Sequence, residues 1–281
     1  MFRRLLSLGI AVALTAGGCS QSDDAGTEET TSTTITAATT SITVTEATTA
    51  DPGGPWELLY ISDSFGRGVA ERYGGIAEEV LGMSVNVHAN VRDRLQAKSV
   101  LASLRDEASS PLADLVRDAE IIVVGPVGPT GNGGFPDWGT CMVASTAQRT
   151  PPKTYTEDDW SQYGETLDDL FGEIWHLREG NPTVLRAVTF PMPTISGWRA
   201  AGIESECKIA IESMMAAFTD AAEANGATVV SLLDLFNGPE HDEDPSEKGW
   251  IGTDRKHMSD AGMDAIADAL AATGFVPGTQ P

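Results

Sequence analysis

Trp56-Glu57-Leu58-Leu59-Tyr60-Ile61 runs directly into Ser62-Asp63-Ser64-Phe65-Gly66-Arg67-Gly68. A short apolar run stopped by small polar residues predicts a strand that ends in a tight turn. Val69 to Leu81 then shows helical spacing and stops at Gly82, so the unit is strand, turn, helix. A second short strand, Val85-Asn86-Val87-His88-Ala89, follows at once.

The same alternation continues along the chain. Leu95 to Leu115 predicts one or two helices broken near Ser109-Ser110-Pro111, and Glu120-Ile121-Ile122-Val123-Val124 is a branched run that Gly125-Pro126 stops. Continuous Ile/Val suits a strand covered on both faces. After an irregular Gly- and Pro-rich stretch to about Thr154, Asp158 to Arg178 predicts a long amphipathic helix with a stripe from Trp160 to Trp175. Such a stripe is core packing before it is a sugar platform. Strands at Thr183 to Phe190 and Ala227 to Leu232, and helices at Ser205 to Asn225 and Asp260 to Thr273, complete the series. Five strands alternating with helices predict an α/β fold, a three-layer α/β/α domain around a five-stranded parallel sheet. Ligands of such sheets bind beyond the carboxyl ends of the strands.

Composition narrows the function. The 281 residues carry 18 Lys+Arg against 41 Asp+Glu, a formal charge of −23. That balance excludes a nucleic-acid partner, which needs a basic face, and excludes holding an anionic leaflet through charge alone. Apolar residues at 41% suffice for an ordinary core. No repeat is visible, and residues 55–278 read as one domain.

Residues 1–18 pair Arg3 and Arg4 with an apolar stretch from Leu5 to Ala16 and then small residues, the pattern of a signal peptide. Gly17-Gly18-Cys19 resembles a bacterial lipobox, with Ala16 where Leu is commoner; Cys19 then becomes the lipidated first residue of the mature chain. A cleaved, freely secreted protein is the alternative. Residues 19–54 are rich in Thr, Ser, Ala and acids and bury too little to offset the entropy of ordering, so they read as a flexible tether. The expected location is extracytoplasmic, at the membrane only through the lipid. In an exported chain, Cys141 and Cys207 are left as an even pair for a disulfide, with two buried thiols as the alternative. Neither has a second ligand at metal spacing, so no metal site is expected.

Two segments carry chemistry. Ser64 sits on the turn after the first strand, where it faces the ligand crevice and the N–H groups of a helix start. Near the other end, Asp254-Arg255-Lys256-His257 precedes the last helix. An Asp three residues before a His can bond one imidazole nitrogen and leave the other to act as a general base toward a serine.

These two segments resemble the signature blocks of the SGNH (GDSL-type) hydrolases, in which Gly-Asp-Ser follows the first strand and Asp-x-x-His precedes the last helix. Ser62-Asp63-Ser64 stands at the first block, and Asp254 and His257, continued by Ser259, Gly262, Ile266 and Ala267, at the last. The resemblance implies a flavodoxin-like sheet, a Ser64 nucleophile, a His257 base, Asp254 as its orienter, an ester substrate and no cofactor. It departs in the middle blocks. The family's Gly-x-Asn-Asp falls at Gly125-Pro126-Val127-Gly128, without the asparagine, and Asn132 is the candidate amide in the same loop. The second-block glycine has no equivalent near Asn90-Val91-Arg92-Asp93-Arg94. Losing one oxyanion donor costs about 10² to 10³ in rate, so a triad with the remaining donors, of which the Ser64 N–H is one, can stay active, and lost activity is the alternative.

Rival readings remain. Ser62-x-Ser64-x-Gly66 falls one residue short of the α/β-hydrolase elbow, and that elbow follows a middle strand with several before it. A non-catalytic envelope protein on the same fold, binding a glycan or a partner, is supported by the missing asparagine. His88, His176 and His241 lack metal spacing and read as surface or satisfied histidines. Glu240 with Asp242-Glu243-Asp244 reads as a solvated acidic loop before it reads as a calcium site. Trp138, Trp198 and Trp250 are candidates to line a substrate cleft. A histidine base predicts activity that rises with pH as its imidazole loses a proton.

Overall fold

The computed structural model describes residues 54–129, 141 and 155–281. Strand β1 (Trp56–Ser62) is followed by a 3₁₀ turn (Ser64–Gly66) and helix α1 (Val69–Leu81). Then come β2 (Val85–Val91), α2 (Ala97–Arg105), α3 (Pro111–Asp118) and β3 (Ile121–Val124). Helix α4 (Glu157–Arg178), β4 (Val184–Val188), α5 (Ile195–Ala201) and α6 (Glu204–Ala224) follow. The chain ends with β5 (Thr228–Val230), α7 (Leu232–Asn237) and α8 (Asp260–Ala272).

All five strands pair in parallel, in the order β2-β1-β3-β4-β5. β3 lies at the centre with every residue buried, as an unbroken Ile/Val run requires. The order reverses direction at β1, and right-handed crossovers then put α1 on one face and the later crossover helices on the other. The packing agrees: α1 lies on α8, whereas α2, α4 and α6 pack side by side. The reversal opens a crevice between the carboxyl ends of β1 and β3. The 3₁₀ turn with Ser64 leaves β1 at that crevice.

Local chemistry fixes the element ends. Thr156 caps α4 reciprocally with Asp159, and Ser259 caps α8 through the Gly262 N–H at 3.1 Å; both are ordinary helix starts. Arg72 on α1 binds Asp264 at 2.6 Å and Asp260 at 2.7 Å, and also the Gly68 carbonyl at 2.8 Å. It thereby fastens the start of α1 to the first turn of α8. Each segment carrying candidate chemistry abuts one of those two helix starts.

Three readings change with the structure. β2 runs to Val91 rather than stopping at Ala89, because its last residues pair with Ile61 and Ser62 of β1. Two short helices, α5 and α7, occupy stretches that periodicity left without one. Trp198 is a core residue: it lies on α5, has no exposed surface, and its indole N–H donates to the Cys141 carbonyl. Trp250 is half-buried against Phe236, with the Lys248 ammonium 5.0 Å from its ring centre. Trp138, the N-terminal segments with Cys19, and Asn132 lie outside the described residues. Cys141 and Cys207 are joined by a disulfide, and both are buried. No helix among the described residues is long and apolar enough to cross a membrane.

Candidate active site

Ser64 follows the last residue of β1 by two positions. Asp63 has extended backbone and caps the turn: its Oδ1 accepts from the Phe65 N–H at 2.9 Å. The Asp63 N–H donates to the Pro126 carbonyl at 3.0 Å, which ties the turn to the segment after β3. Beneath it, the Ser62 side chain stands where the resembled family carries glycine. Two glycines make the room: a Cβ on Gly125 would come within 2.5 Å of the Ser62 Oγ, and one on Gly66 within 2.7 Å. Neither position can hold a side chain while Ser62 keeps its place.

The loop before α8 brings the other residues in. The Ile251–Met258 bridge and the Gly252 N–H donating to the His257 carbonyl at 2.8 Å close it into a narrow turn. Asp254 Oδ1 accepts from the Lys256 and His257 N–H groups at 2.9 and 3.0 Å, and its Oδ2 lies 2.6 Å from His257 Nδ1. His257 Nε2 lies 3.2 Å from Ser64 Oγ. Asp254, His257 and Ser64 therefore form one continuous hydrogen-bonded chain. Partial burial alone would raise the Asp254 carboxyl, but the bonds from the imidazole and the two N–H groups outweigh it and hold the group below the usual carboxylate range. An ionised Asp254 fixes the tautomer with hydrogen on Nδ1 and leaves Nε2 free to accept the serine proton. Phe65, buried, lies 5.9 Å from the imidazole and 4.1 Å from Phe190 between ring centres, giving the imidazole an apolar flank.

Two backbone donors are open. Ser64 opens the 3₁₀ turn, so its N–H has no partner within it. Arg94 adopts φ of 57°, the left-handed region that favours glycine. The backbone shape sought from a second-block glycine is thus present at Arg94, and no sequence signal marks it because the residue type is wrong for the conformation. Among the described residues the Arg94 N–H has no hydrogen-bond partner. At the third block, Val127 takes the asparagine's place and is fully buried; its carbonyl accepts from the Tyr163 hydroxyl at 2.5 Å. Valine supplies no side-chain donor there.

Asp63 is the unusual group. Its carboxyl is buried and the Oδ2 has no partner, as is also true of the Ser62 Oγ and the Tyr73 hydroxyl. Burial pushes the Asp63 carboxyl up to about 7, with the Phe65 N–H pulling it down and Asp93 adding to the rise. Burial also raises the phenols of Tyr60 and Tyr163, and the Asp63 charge raises each further.

The remaining candidates are engaged elsewhere. His88 pairs with Glu57 at 2.6 Å, and His241 bridges Glu212 and Asp234 at 2.9 and 3.2 Å. Glu243 pairs with Lys248, and Asp244 accepts from Ser246. Glu107, Glu173 and His176 bring their donor atoms within 4.8 Å of one another on the surface. All three are already paired, Glu107 with Arg117 and with His176, and Glu173 with Arg105.

No family model matches the chain, and no curated protein sequence does. Among solved structures, the chain is similar to the lipase Lip_vut3 from goat rumen metagenome, at 16% identity and a TM-score of 0.56, over 79% of this chain and 98% of that one. The esterase EstA of a Pseudoalteromonas species is 12% identical, with a TM-score of 0.44, over 77% of this chain and 94% of that one. The likeness to the lipase is one of fold. The five-stranded parallel sheet with helices on both faces is the architecture the two share.

Proposed function

We propose that this chain is an exported, lipid-anchored serine esterase that hydrolyses acyl or acetyl esters through an acyl-enzyme. The observation that carries the reading is the hydrogen-bonded series Asp254–His257–Ser64, at 2.6 and 3.2 Å, on the crevice side of a parallel sheet. Ser64 Oγ attacks the ester carbonyl carbon while His257 Nε2 takes the hydroxyl proton. The oxyanion is held by the N–H groups of Ser64 and Arg94, and Asn132 is the candidate for a third donor. Collapse breaks the bond to the leaving oxygen, which His257 protonates as the alcohol departs. Water then repeats both steps on the acyl-enzyme and regenerates Ser64. A positioned base of this kind contributes about 10² to 10⁴ in rate, and each oxyanion donor about 10² to 10³.

A second reading has one observation in its favour: Val127 stands where an amide donor belongs in the resembled family. On that reading the chain keeps the fold and binds a glycan or a partner at the same crevice. Turnover of a short-chain aryl ester separates the two. The esterase reading requires wild-type turnover that Ser64→Ala abolishes while the circular dichroism spectrum and melting temperature stay unchanged. The binding reading requires no turnover by either protein.

A further inference from the structure

The chain is strongly acidic, yet the rim of the proposed site is not. Among the described residues, every exposed or half-exposed Arg or Lys is in an ion pair except Arg92, Arg94, Lys98, Arg255 and Lys256. These five fall in two segments. Residues 92–98 follow the carboxyl end of β2, and 255–256 lie between Asp254 and His257. The Arg92 N–H donates to the Ser62 carbonyl at 3.1 Å, so the first segment rests against the end of β1. The Arg67–Asp93 ion pair, at 2.9 Å, fastens it to the turn that carries Ser64.

The exposed carboxylates of the two segments are already engaged, Asp93 by Arg67 and Asp254 by His257. That leaves Arg92, Arg94, Arg255 and Lys256 uncompensated, whereas Lys98 shares a hollow with Glu165 and Asp169 of α4. Two of them stand where a side chain is disfavoured: Arg94 at φ 57° and Arg255 at φ 58°. Glycine would relax both backbones, and the chain carries arginine at both. Arg92 also lines a groove of about 450 Å³ beside β2, α2 and α3, with His88, Asn90 and Ser99 among its polar walls. The groove gives room for a polar portion of a ligand beside Arg92.

We propose that the ester accepted by this site carries a fixed negative charge, a carboxylate or a phosphate, close to the scissile bond. The proposal rests on the esterase reading and names its substrate class. The formal charge of −23 opposes an anion's approach at long range, but salt confines that repulsion to about 8–10 Å. At contact the local cations decide, and charge complementarity of this kind raises encounter rates by roughly 10- to 1,000-fold. A neutral ester would leave the cations of Arg92, Arg94, Arg255 and Lys256 unpaired.

The test uses three acetyl esters that differ only in the group opposite the acetate: methyl 4-acetoxybenzoate, 4-acetoxybenzoate and 4-acetoxyphenyl phosphate. The readout is the ratio of kcat/KM for each anionic ester to that for the methyl ester, in wild type and in the Arg92→Gln/Lys256→Gln double variant, at about 0.1 M and about 0.5 M salt. We expect a wild-type ratio of about 10 or more at about 0.1 M salt that falls toward the variant's value as salt is added. The larger of the two anionic ratios identifies the charged group as phosphate or carboxylate. A ratio that neither the double substitution nor salt changes overturns the proposed substrate class and leaves the esterase reading standing. Absence of turnover on all three esters overturns the esterase reading, and this inference with it.

Discussion

His257 Nε2 stands 3.2 Å from Ser64 Oγ although 193 residues separate them in the chain. The approach is built by two helix starts. Ser64 precedes α1 and His257 precedes α8, and Arg72 clamps the first turn of one to the first turn of the other. Because both loops leave the same edge of the domain, the imidazole meets the hydroxyl over the crevice where β1 and β3 diverge.

Replacing Asp254 by Asn should leave the loop folded and slow ester turnover by about 10³- to 10⁴-fold, since the imidazole then loses the anion that fixes its tautomer and steadies its charged form. Steady-state kinetics with a matched melting curve checks this. A loss below tenfold would remove Asp254 from the mechanism.

Asp63 should make stability fall as pH rises. Its folded-state value of about 7 lies above the ordinary 3.8, so the folded chain holds a proton that the unfolded chain releases. The stabilisation is complete below about pH 4 and is lost as pH climbs through 7, a swing of about 4 kcal/mol. Asp63→Asn retains the acceptor for the Phe65 N–H and removes the titration. Its stability relative to wild type should rise between pH 5 and pH 8 in denaturant melts. A relative stability that is flat over that range would contradict the buried, titrating carboxyl.

The Cys141–Cys207 disulfide spans 66 residues, and closing a loop of that length is worth roughly 4 kcal/mol in the chain-entropy model. Cys207→Ala should lower the melting temperature and abolish the response of wild type to a reductant. Equal melting temperatures with and without reductant would show that the bond adds nothing to stability.

Much of this architecture is written locally. The apolar run of β3, the spacing of α1 with its Gly82 stop, and the Ser-Asp-Ser turn announce themselves within a few residues. What escaped was imposed from a distance. Arg94 takes a glycine-like φ that its residue type argues against. α5 is seven residues long, follows Pro191-Met192-Pro193, and is held by Trp198 and Thr194 bonding the Cys141 carbonyl. Nothing local distinguishes that Trp198 from a cleft-lining indole. α7 is an apolar run, Leu232-Leu233-Asp234-Leu235-Phe236, too short to show a helical period. The Asp63 carboxyl gives no sign in sequence of its burial, because its desolvation depends on the distant segment after β3 and on Tyr60 and Tyr163 near it. The meeting of Ser64 with Asp254 and His257 was legible because each lies in a short motif just before a helix, one after the first strand and one before the last helix.

The most direct test is covalent. A serine-directed aryl phosphonate should modify the intact protein once, with mass spectrometry placing the adduct on the peptide that contains Ser64, and Ser64→Ala should abolish it. Modification of a different serine, or none under conditions where the reagent is active, would contradict the assignment of Ser64 as the nucleophile.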